Sequence, residues 1–268
     1  MSMMTATGIG RKVALAWWQW SCLSLALLLA ATTNAQTKEP AADDGKAREI
    51  LMRADRIRFP QEGFQVDVVI TTTAPDTEPE VRAYRVLSKG NNQTVVQTTA
   101  PAIDRDQILL MRDRELWAFL PNLTQPIRLP LSQRLTGQVA NGDLARANFV
   151  GDYEPKILRQ EKIEGETYHV LELDAVDQWV TYRRVLLWVN AKNDRPFKAE
   201  FYAVSGRLMK TCQYTDFQSM AGAGRPSRLV IDDALRSGNR SVLEYSAMKL
   251  RDLPDKIFTK DYLKRIGG

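Results

Sequence analysis

The sequence predicts a mainly β domain, an incomplete antiparallel β-barrel of about 11 strands with an N-terminal helix and a short helical plug or lid. Three observations support this. Apolar and polar residues alternate over most of the chain, the gaps between alternating runs are short and contain Gly, Asn, Asp or Pro, and helical periodicity is rare. A single sheet with so many strands must curl strongly, and with few helices to cover it a partial barrel around a plug is expected.

The first predicted element is an amphipathic helix of about four turns that follows the polar residues 36–43. Asp43 or Asp44 can cap it, because a short carboxylate accepts a hydrogen bond from a free backbone amide. The helix should end before Pro60, since the residue that precedes a proline disfavours helical backbone. Its apolar stripe, which we expect to pack on the sheet, consists of Ala47, Ile50, Leu51, Ala54 and Ile57.

Strand-like runs begin at residue 64 and continue almost to the C-terminus. In two of these runs every second residue is apolar, and we expect these residues on the covered face of the sheet. They are Phe64, Val66, Val68 and Ile70 in the first run and Phe197, Ala199 and Phe201 in the second. The remaining runs are residues 81–88, 94–99, 107–111, 116–120, 127–129, 156–161, 168–173, 185–189, 208–214, 229–231 and 242–245. Hairpin-sized gaps between runs favour an antiparallel meander.

Three large aromatic residues have two open interpretations. Trp117 and Phe119 share one face of a predicted strand, which we place inside. Trp188 lies in residues 185–189, a run that is apolar on both faces. Such residues either belong to an ordinary core or line a cavity for an acyl chain, which requires large apolar walls and few polar groups.

Residues 132–153 interrupt the strand pattern. A helical turn is expected from Ser132 to Leu135, and Asn141, Gly142 and Asp143 can cap a second one that runs to Phe149. Long insertions of this kind often carry function. We interpret the segment as a mobile lid, and a fixed plug is the alternative. Its apolar residues are Leu135, Val139, Leu144 and Phe149. Arg134 and Arg146 would hold it through carboxylates such as Asp143 or Asp152 or through backbone carbonyls near the rim.

The N-terminus has the pattern of a secretory signal. Arg11 and Lys12 precede the largely apolar residues 13–31, and Thr33-Asn34-Ala35 is a small-residue cleavage site. We therefore predict a signal peptide over residues 1–35, a single domain over residues 36–268 and a periplasmic location; an uncleaved membrane anchor is the alternative. Cys22 lies inside the apolar run and not after it, so it does not fit a lipid-modified cysteine. Cys212 would then be alone and buried.

Composition argues against several function classes. One His and two Cys are too few for an ordinary zinc site. Cleavage after Ala35 removes Arg11 and Lys12 and lowers the formal net charge from +5 to about +3, which is too small to indicate nucleic-acid binding. The sequence has no nucleophile elbow, phosphate-binding loop or dinucleotide-binding motif. His169 has no Ser or Cys beside it, so a hydrolase built on it is the weakest of our hypotheses. We expect no enzyme activity, cofactor or metal.

Three stretches carry a resemblance to a known family. They are residues 110–153 (LMRDRELWAFLPNLTQPIRLPLSQRLTGQVANGDLARANFVGDY), residues 187–210 (LWVNAKNDRPFKAEFYAVSGRLMK) and residues 255–266 (DKIFTKDYLKRI). The chain resembles the outer-membrane lipoprotein-sorting protein family, a LolA-like periplasmic group found next to large membrane exporters. The resemblance implies an incomplete antiparallel β-barrel closed by helices, with an apolar cavity for acyl chains. It covers the chain loosely from the first helix to the C-terminus.

Together these observations predict a monomeric periplasmic carrier that holds the acyl chains of lipid or lipoprotein cargo and works with an inner-membrane transporter. The predicted cavity residues are Val66, Val68, Ile70, Trp117, Phe119, Leu135, Leu144, Phe149, Trp188 and Phe201. The alternative is an adaptor or sensor that binds a partner protein and regulates an exporter or an envelope response. An apolar cavity of a few hundred Å³ would favour the carrier, and an exposed apolar patch without a cavity would favour the adaptor.

Overall fold

The computed structural model describes residues 42–90 and 92–266, and the predicted signal peptide lies outside them. The first helix, α1 (Ala42–Arg58), ends where the sequence predicts, and four residues of its apolar stripe are buried: Ala47, Ile50, Leu51 and Ala54. The side chains of Asp43 and Asp44, the predicted caps, are not among those described. The stripe packs on the sheet, mainly against the strand that begins at Tyr153 and the one that begins at Ala223.

The chain then forms one 13-stranded antiparallel sheet in two halves. The first half runs outward from the middle of the sheet to one edge: β1 (Phe64–Thr73), β2 (Glu80–Lys89), β3 (Gln93–Ala100), β4 (Ile108–Arg112), β5 (Glu115–Phe119) and β6 (Ile127–Leu129). After a connecting segment, the second half runs from the opposite edge back to the middle. It consists of β9 (Tyr153–Ile163), β10 (Glu166–Ala175), β11 (Arg184–Asn190), β12 (Pro196–Tyr202), β13 (Leu208–Met220), β14 (Ala223–Asp233) and β15 (Arg240–Leu250).

The two halves join where β1 pairs with β15, and the free edges are therefore β6 and β9. Along the chain, β9 is the next strand of the main sheet after β6, although the two lie at opposite edges. Residues 130–152 must therefore connect one edge to the other. This connection contains a two-stranded hairpin, β7 (Arg134–Thr136) with β8 (Val139–Ala140), and the short helix α2 (Asn141–Ala145). A final helix, α3 (Lys260–Ile266), follows β15. None of the helices in the described residues is long and apolar enough to cross a membrane.

The predicted architecture, a mainly β incomplete barrel with few helices, is confirmed, but several details differ from the prediction. The main sheet has 13 strands and not about 11. The helical turn expected from Ser132 to Leu135 is a hairpin in the structure, because Gly137 adopts a positive φ of 49° that permits a tight turn. A side chain at this glycine would collide with the hydroxyls of Thr72 and Ser241, which lie directly behind the turn.

We call the face of the sheet that α1 and residues 132–153 cover the inner face. It carries the largest hydrophobic cluster, to which nearly every strand contributes. The predicted cavity residues Val66, Val68, Ile70 and Phe201 all lie in it and are at most 5% exposed. Since side chains alternate along a strand, the residues between them point to the outer face.

Three predicted cavity residues lie on the outer face instead. In β5, Leu116 belongs to the inner cluster, whereas Trp117 and Phe119 pack in a second cluster with Phe258 and Leu263 from the C-terminal region. In β11, Leu187 points inward and Trp188 belongs to a third cluster that includes Tyr168. The placement of these aromatics in the cavity is therefore wrong: each strand is covered on both faces, and the apolar pattern alone does not distinguish the faces.

Phe197 also differs from the expectation, and a β-bulge is the reason. Trp188 is opposite Lys198 while Val189 is opposite Pro196, so Phe197 is the additional residue of β12. An extra residue reverses the alternation at that point. Phe197 consequently packs on the outer face against Tyr168, with ring centroids 4.8 Å apart, while Ala199 and Phe201 stay on the inner face.

The facing of β1 can be tested by substituting two adjacent valines. Val68→Asp places a carboxylate in the inner cluster and should lower the free energy of unfolding by at least about 3 kcal/mol, because a lone buried charge is poorly tolerated. Val69→Asp, on the half-buried outer side, is the matched control and should cost about 1 kcal/mol. Urea denaturation measures both, and similar losses for the two variants would contradict the assigned faces.

Candidate ligand-binding site

The candidate site is the inner face of the sheet together with residues 132–153, which we call the cover segment. Val139, Leu144 and Phe149 of this segment are buried in the inner cluster, and Leu135 packs against it partly exposed. Helix α2 lies against β2, β3 and β4, in the first half of the sheet. The cover segment thus fills the space where the sequence predicts an acyl-chain cavity.

A buried polar cluster at Asp143, which we call the first latch, fastens the cover segment to the sheet. The Lys210 ammonium, from β13, donates to Asp143 Oδ2 at 2.6 Å and to the carbonyl of Gln138 at 2.8 Å. The Tyr182 hydroxyl donates to both Asp143 oxygens at 2.9 Å, and the Ala140 amide donates to Oδ2 at 2.8 Å. Burial, and then the Asp143 carboxylate, raise the pKa of Tyr182, so its hydroxyl stays protonated as a donor.

A second buried cluster, the second latch, fastens the cover segment to α1. Asp55 accepts hydrogen bonds from the backbone amides of Phe149 at 2.7 Å and Val150 at 2.8 Å. The Arg58 guanidinium donates to the same carboxylate at 2.9 Å and lies 4.2 Å from the centre of the Phe149 ring. One Asp–Arg pair one helical turn apart therefore holds both the backbone and the aromatic ring of the segment.

The predicted role of arginines in holding the segment is half right. The Arg146 side chain is only 8% exposed and forms an ion pair with Asp152, and it donates to the Asp113 carbonyl at 2.6 Å. Arg134, in contrast, lies exposed on β7. Asp143 pairs with Lys210 and not with either arginine that the sequence suggested. The sequence pattern could have indicated this contact. Lys210 is followed at every second position by Cys212 and Tyr214, so this lysine should point to the same inner face as they do.

Within the described residues, the cavities under the cover segment are small. One of about 40 Å³ lies among Arg58, Phe149, Tyr182 and Tyr214, and one of about 20 Å³ lies beside Leu144. Sites for lipid-sized ligands are typically about 300–1,000 Å³. The predicted large cavity is therefore absent from this closed arrangement, and an acyl chain can enter the inner face only if the cover segment moves.

A much larger groove, of about 680 Å³, opens at one end of the sheet. It lies between the β10–β11 loop and the β12–β13 loop and reaches the start of the cover segment at Ser132. Most of its lining is apolar; the lining residues are Ser132, Ala175, Val176, Asp177, Gln178, Val180, Thr181, Tyr182, Arg183, Tyr202, Ala203, Val204 and Met209. Tyr182 belongs to both this groove and the first latch, so the open groove leads directly to the contact that holds the segment closed.

The two remaining titratable residues that the sequence analysis considered, His169 and Cys212, both lie in buried surroundings. His169 is 9% exposed, burial lowers its pKa, and its Nδ1 lies 3.5 Å from the Gln160 amide nitrogen. Cys212 is buried in the inner cluster as predicted, and burial raises the pKa of its thiol to about 12. No group of three His, Cys, Asp or Glu side chains in the described part of the chain is placed to hold a metal ion.

A double-mutant cycle tests whether the first latch is energetically strong. Lys210→Met and Asp143→Asn, singly and together, should give a coupling energy of about 2 kcal/mol or more, because the ammonium and carboxylate lie in a largely buried site. The exposed Asp232–Arg240 pair, with a 2.6 Å contact of its own, is the control and should couple by less than about 1 kcal/mol. Equal coupling energies from urea denaturation would contradict a special role for the latch.

Comparison with known proteins identifies the family. A family model described as an uncharacterized protein matches residues 90–265. A search of curated proteins gives no match. Among solved structures, a LolA superfamily protein from Nitrosomonas europaea is 61% identical, with a TM-score of 0.78, and the match covers 81% of this chain and 98% of that one.

Two more distant structures share the fold. A putative outer membrane lipoprotein-sorting protein domain from Vibrio parahaemolyticus is 21% identical with a TM-score of 0.71, covering 83% of this chain and all of that one. A DUF1329 family protein from Desulfovibrio piger is 16% identical with a TM-score of 0.72 and the same coverage. The high identity over most of the chain confirms the resemblance seen in the sequence: the protein belongs to the LolA superfamily.

Proposed function

We propose that this protein is a periplasmic binding protein and carrier for lipid or lipidated cargo, and that it holds acyl chains against the inner face of its sheet. One observation carries the proposal: the apolar inner face is closed by a segment outside the main sheet, held at two polar latches, and an apolar groove leads to one of them. Membership of the LolA superfamily and the likeness to a putative lipoprotein-sorting domain support it.

In this proposal the groove receives the acyl chain first. A chain lying along the groove contacts Tyr182, whose hydroxyl is one of the donors to Asp143. Displacing Leu144 and Phe149 from the inner face then replaces one buried apolar surface by another, so the hydrophobic free energy of the exchange is small. No bond is made or broken, and the role we propose is not catalytic. An inner-membrane transporter would supply or accept the cargo.

The location is part of the same proposal. The N-terminal pattern, Arg11 and Lys12 followed by an apolar run and Thr33-Asn34-Ala35, supports export and cleavage after Ala35. The exported form would then begin at Gln36 and consist of one domain, acting as a monomer. Its intact mass tests this directly, and a mass that includes Met1 would support the anchor alternative.

One observation favours the second candidate, an adaptor that binds a partner protein. The cavities beneath the cover segment total far less than an acyl chain needs, while Trp179 at the groove end is 63% exposed. Native mass spectrometry of the exported protein separates the two candidates. A co-purifying lipid supports the carrier and its mass gives the cargo class, whereas a lipid-free protein that retains a partner polypeptide supports the adaptor.

Filling the groove should block cargo binding. Ala203→Trp places a large ring in the groove and should weaken binding of a fluorescent fatty acid at least tenfold, since the chain loses its entry path. Ala191→Trp, at an exposed turn on the opposite end of the sheet, is the matched control and should bind like the parent. Titration in the absence of membranes measures both; equal affinities in the two variants would contradict the groove as the site of entry.

A further inference from the structure

Three neighbouring hairpin loops lie side by side at one end of the sheet. They are residues 176–183 between β10 and β11, residues 203–207 between β12 and β13, and residues 234–239 between β14 and β15. In an antiparallel meander every second turn falls at the same end, so these three loops form one surface, which we call the tip surface. The 680 Å³ groove opens between the first two loops.

Each loop of the tip surface presents a large apolar side chain to solvent. Trp179 is 63% exposed, Val204 is 87% exposed and Leu235 is 50% exposed. Val176 in the first loop and Met209 just after the second are 40% and 39% exposed as well. Among the exposed large hydrophobic residues of the described chain, six lie away from these loops: Val81, Ile103, Leu123 and Ile127 in the first half of the sheet, Leu158 in the middle of β9 and Leu250 at the far end of β15. A clustered set of exposed apolar residues marks an interaction surface.

Each loop also presents an exposed arginine: Arg183, Arg207 and Arg236. The three loops contain a single acidic residue, Asp177, and it is already engaged by an ion pair with Arg114 and by the Trp179 backbone amide. Asp233, the last residue of β14, accepts hydrogen bonds from the Leu235 and Arg236 amides, so three arginines face two carboxylates and the tip surface keeps a net positive charge. The next loop along the sheet, residues 74–79, carries the exposed acids Asp76 and Glu78 and so marks the border of the positive region.

We propose that the tip surface docks on the surface of a bilayer that contains anionic phospholipid. Tryptophan side chains favour the interface between headgroups and acyl chains, and arginines bind phosphate groups through their planar fork of donors. Three apolar tips separated by arginines match a fluid bilayer, into which each tip inserts independently. A protein partner would instead favour a continuous apolar centre with a polar rim.

This docking does not depend on what the protein carries. Where the proposed function also holds, docking places the mouth of the groove at the membrane surface, so that an acyl chain can pass from the bilayer to Tyr182 without crossing water. The two proposals remain separable, because cargo binding is measured without membranes and docking is measured without free fatty acid.

Flotation of the exported protein with vesicles tests the proposal. We expect the protein to float with vesicles of phosphatidylglycerol and phosphatidylethanolamine, and to stay unbound with phosphatidylcholine vesicles or at high salt. The triple variant R183Q/R207Q/R236Q should bind about a hundredfold more weakly, since each arginine near an anionic surface contributes about fivefold. The variant W179S/V204S/L235S should lose at least about tenfold through its apolar area.

The matched control is L158S/L250S, which removes exposed apolar residues away from the tip surface and should float like the parent. All these substitutions are at exposed positions, and circular dichroism and thermal unfolding verify that the fold is retained. The proposal is overturned if the parent does not float with anionic vesicles or if the control loses as much binding as the tip variant. Cross-linking of the tip surface to an envelope protein by a parent that does not bind vesicles would assign this surface to a protein partner instead.

Discussion

The order of the strands imposes one constraint on which the rest of the structure depends. Because β1 pairs with β15 in the middle of the sheet, the chain must travel from one free edge at Leu129 to the other at Tyr153. Thirteen strands laid flat would separate those edges by roughly 58 Å. Residues 130–152 could span about 75 Å only if fully extended, and they contain a hairpin and a helix. The sheet must therefore curl, and the connection crosses the face that the curl encloses.

A segment that crosses an apolar face must bury its own backbone polar groups and satisfy them there. The two latches do this with charged side chains from different elements: Lys210 from β13 reaches the Gln138 carbonyl, and Asp55 from α1 accepts the Phe149 and Val150 amides. Besides the two latches, single hydrogen bonds hold the segment. Among them, Arg146 donates to the Asp113 carbonyl, the Gln138 amide donates to the Ser241 hydroxyl, and the Val176 amide donates to the Asp152 carbonyl. These contacts are few and local, unlike the continuous hydrogen-bond ladder of a sheet. The closed cover and an open state can thus be related by a local change, with the sheet left intact.

Much of the fold could be predicted from the sequence. Apolar and polar residues alternate along each strand and short polar gaps separate the strands, and this local pattern is typical of an antiparallel meander. The apolar stripe of α1 likewise predicts which side of the helix is buried. What could not be predicted depends on long-range contacts. The outward facing of Trp117 and Trp188 follows from packing on both faces of the sheet, and the orientation of Phe197 follows from a bulge without a local signal. The sequence did mark the latch residues Lys210 and Asp55. Lys210 occupies a strand position that should face the core with Cys212 and Tyr214, and Asp55 lies beside the apolar stripe of α1. Their partners, however, are 67 and 94 residues away.

The central claim is that the cover segment can leave the inner face while the sheet stays folded, and hydrogen–deuterium exchange with and without a bound fatty acid tests it most directly. The account predicts that cargo speeds exchange at the Phe149 and Val150 amides, which lose their Asp55 acceptor, while the amides of β13–β15 stay protected. A saturating fatty acid that leaves residues 132–153 as protected as those central strands would show that the segment is a fixed plug and contradict the account.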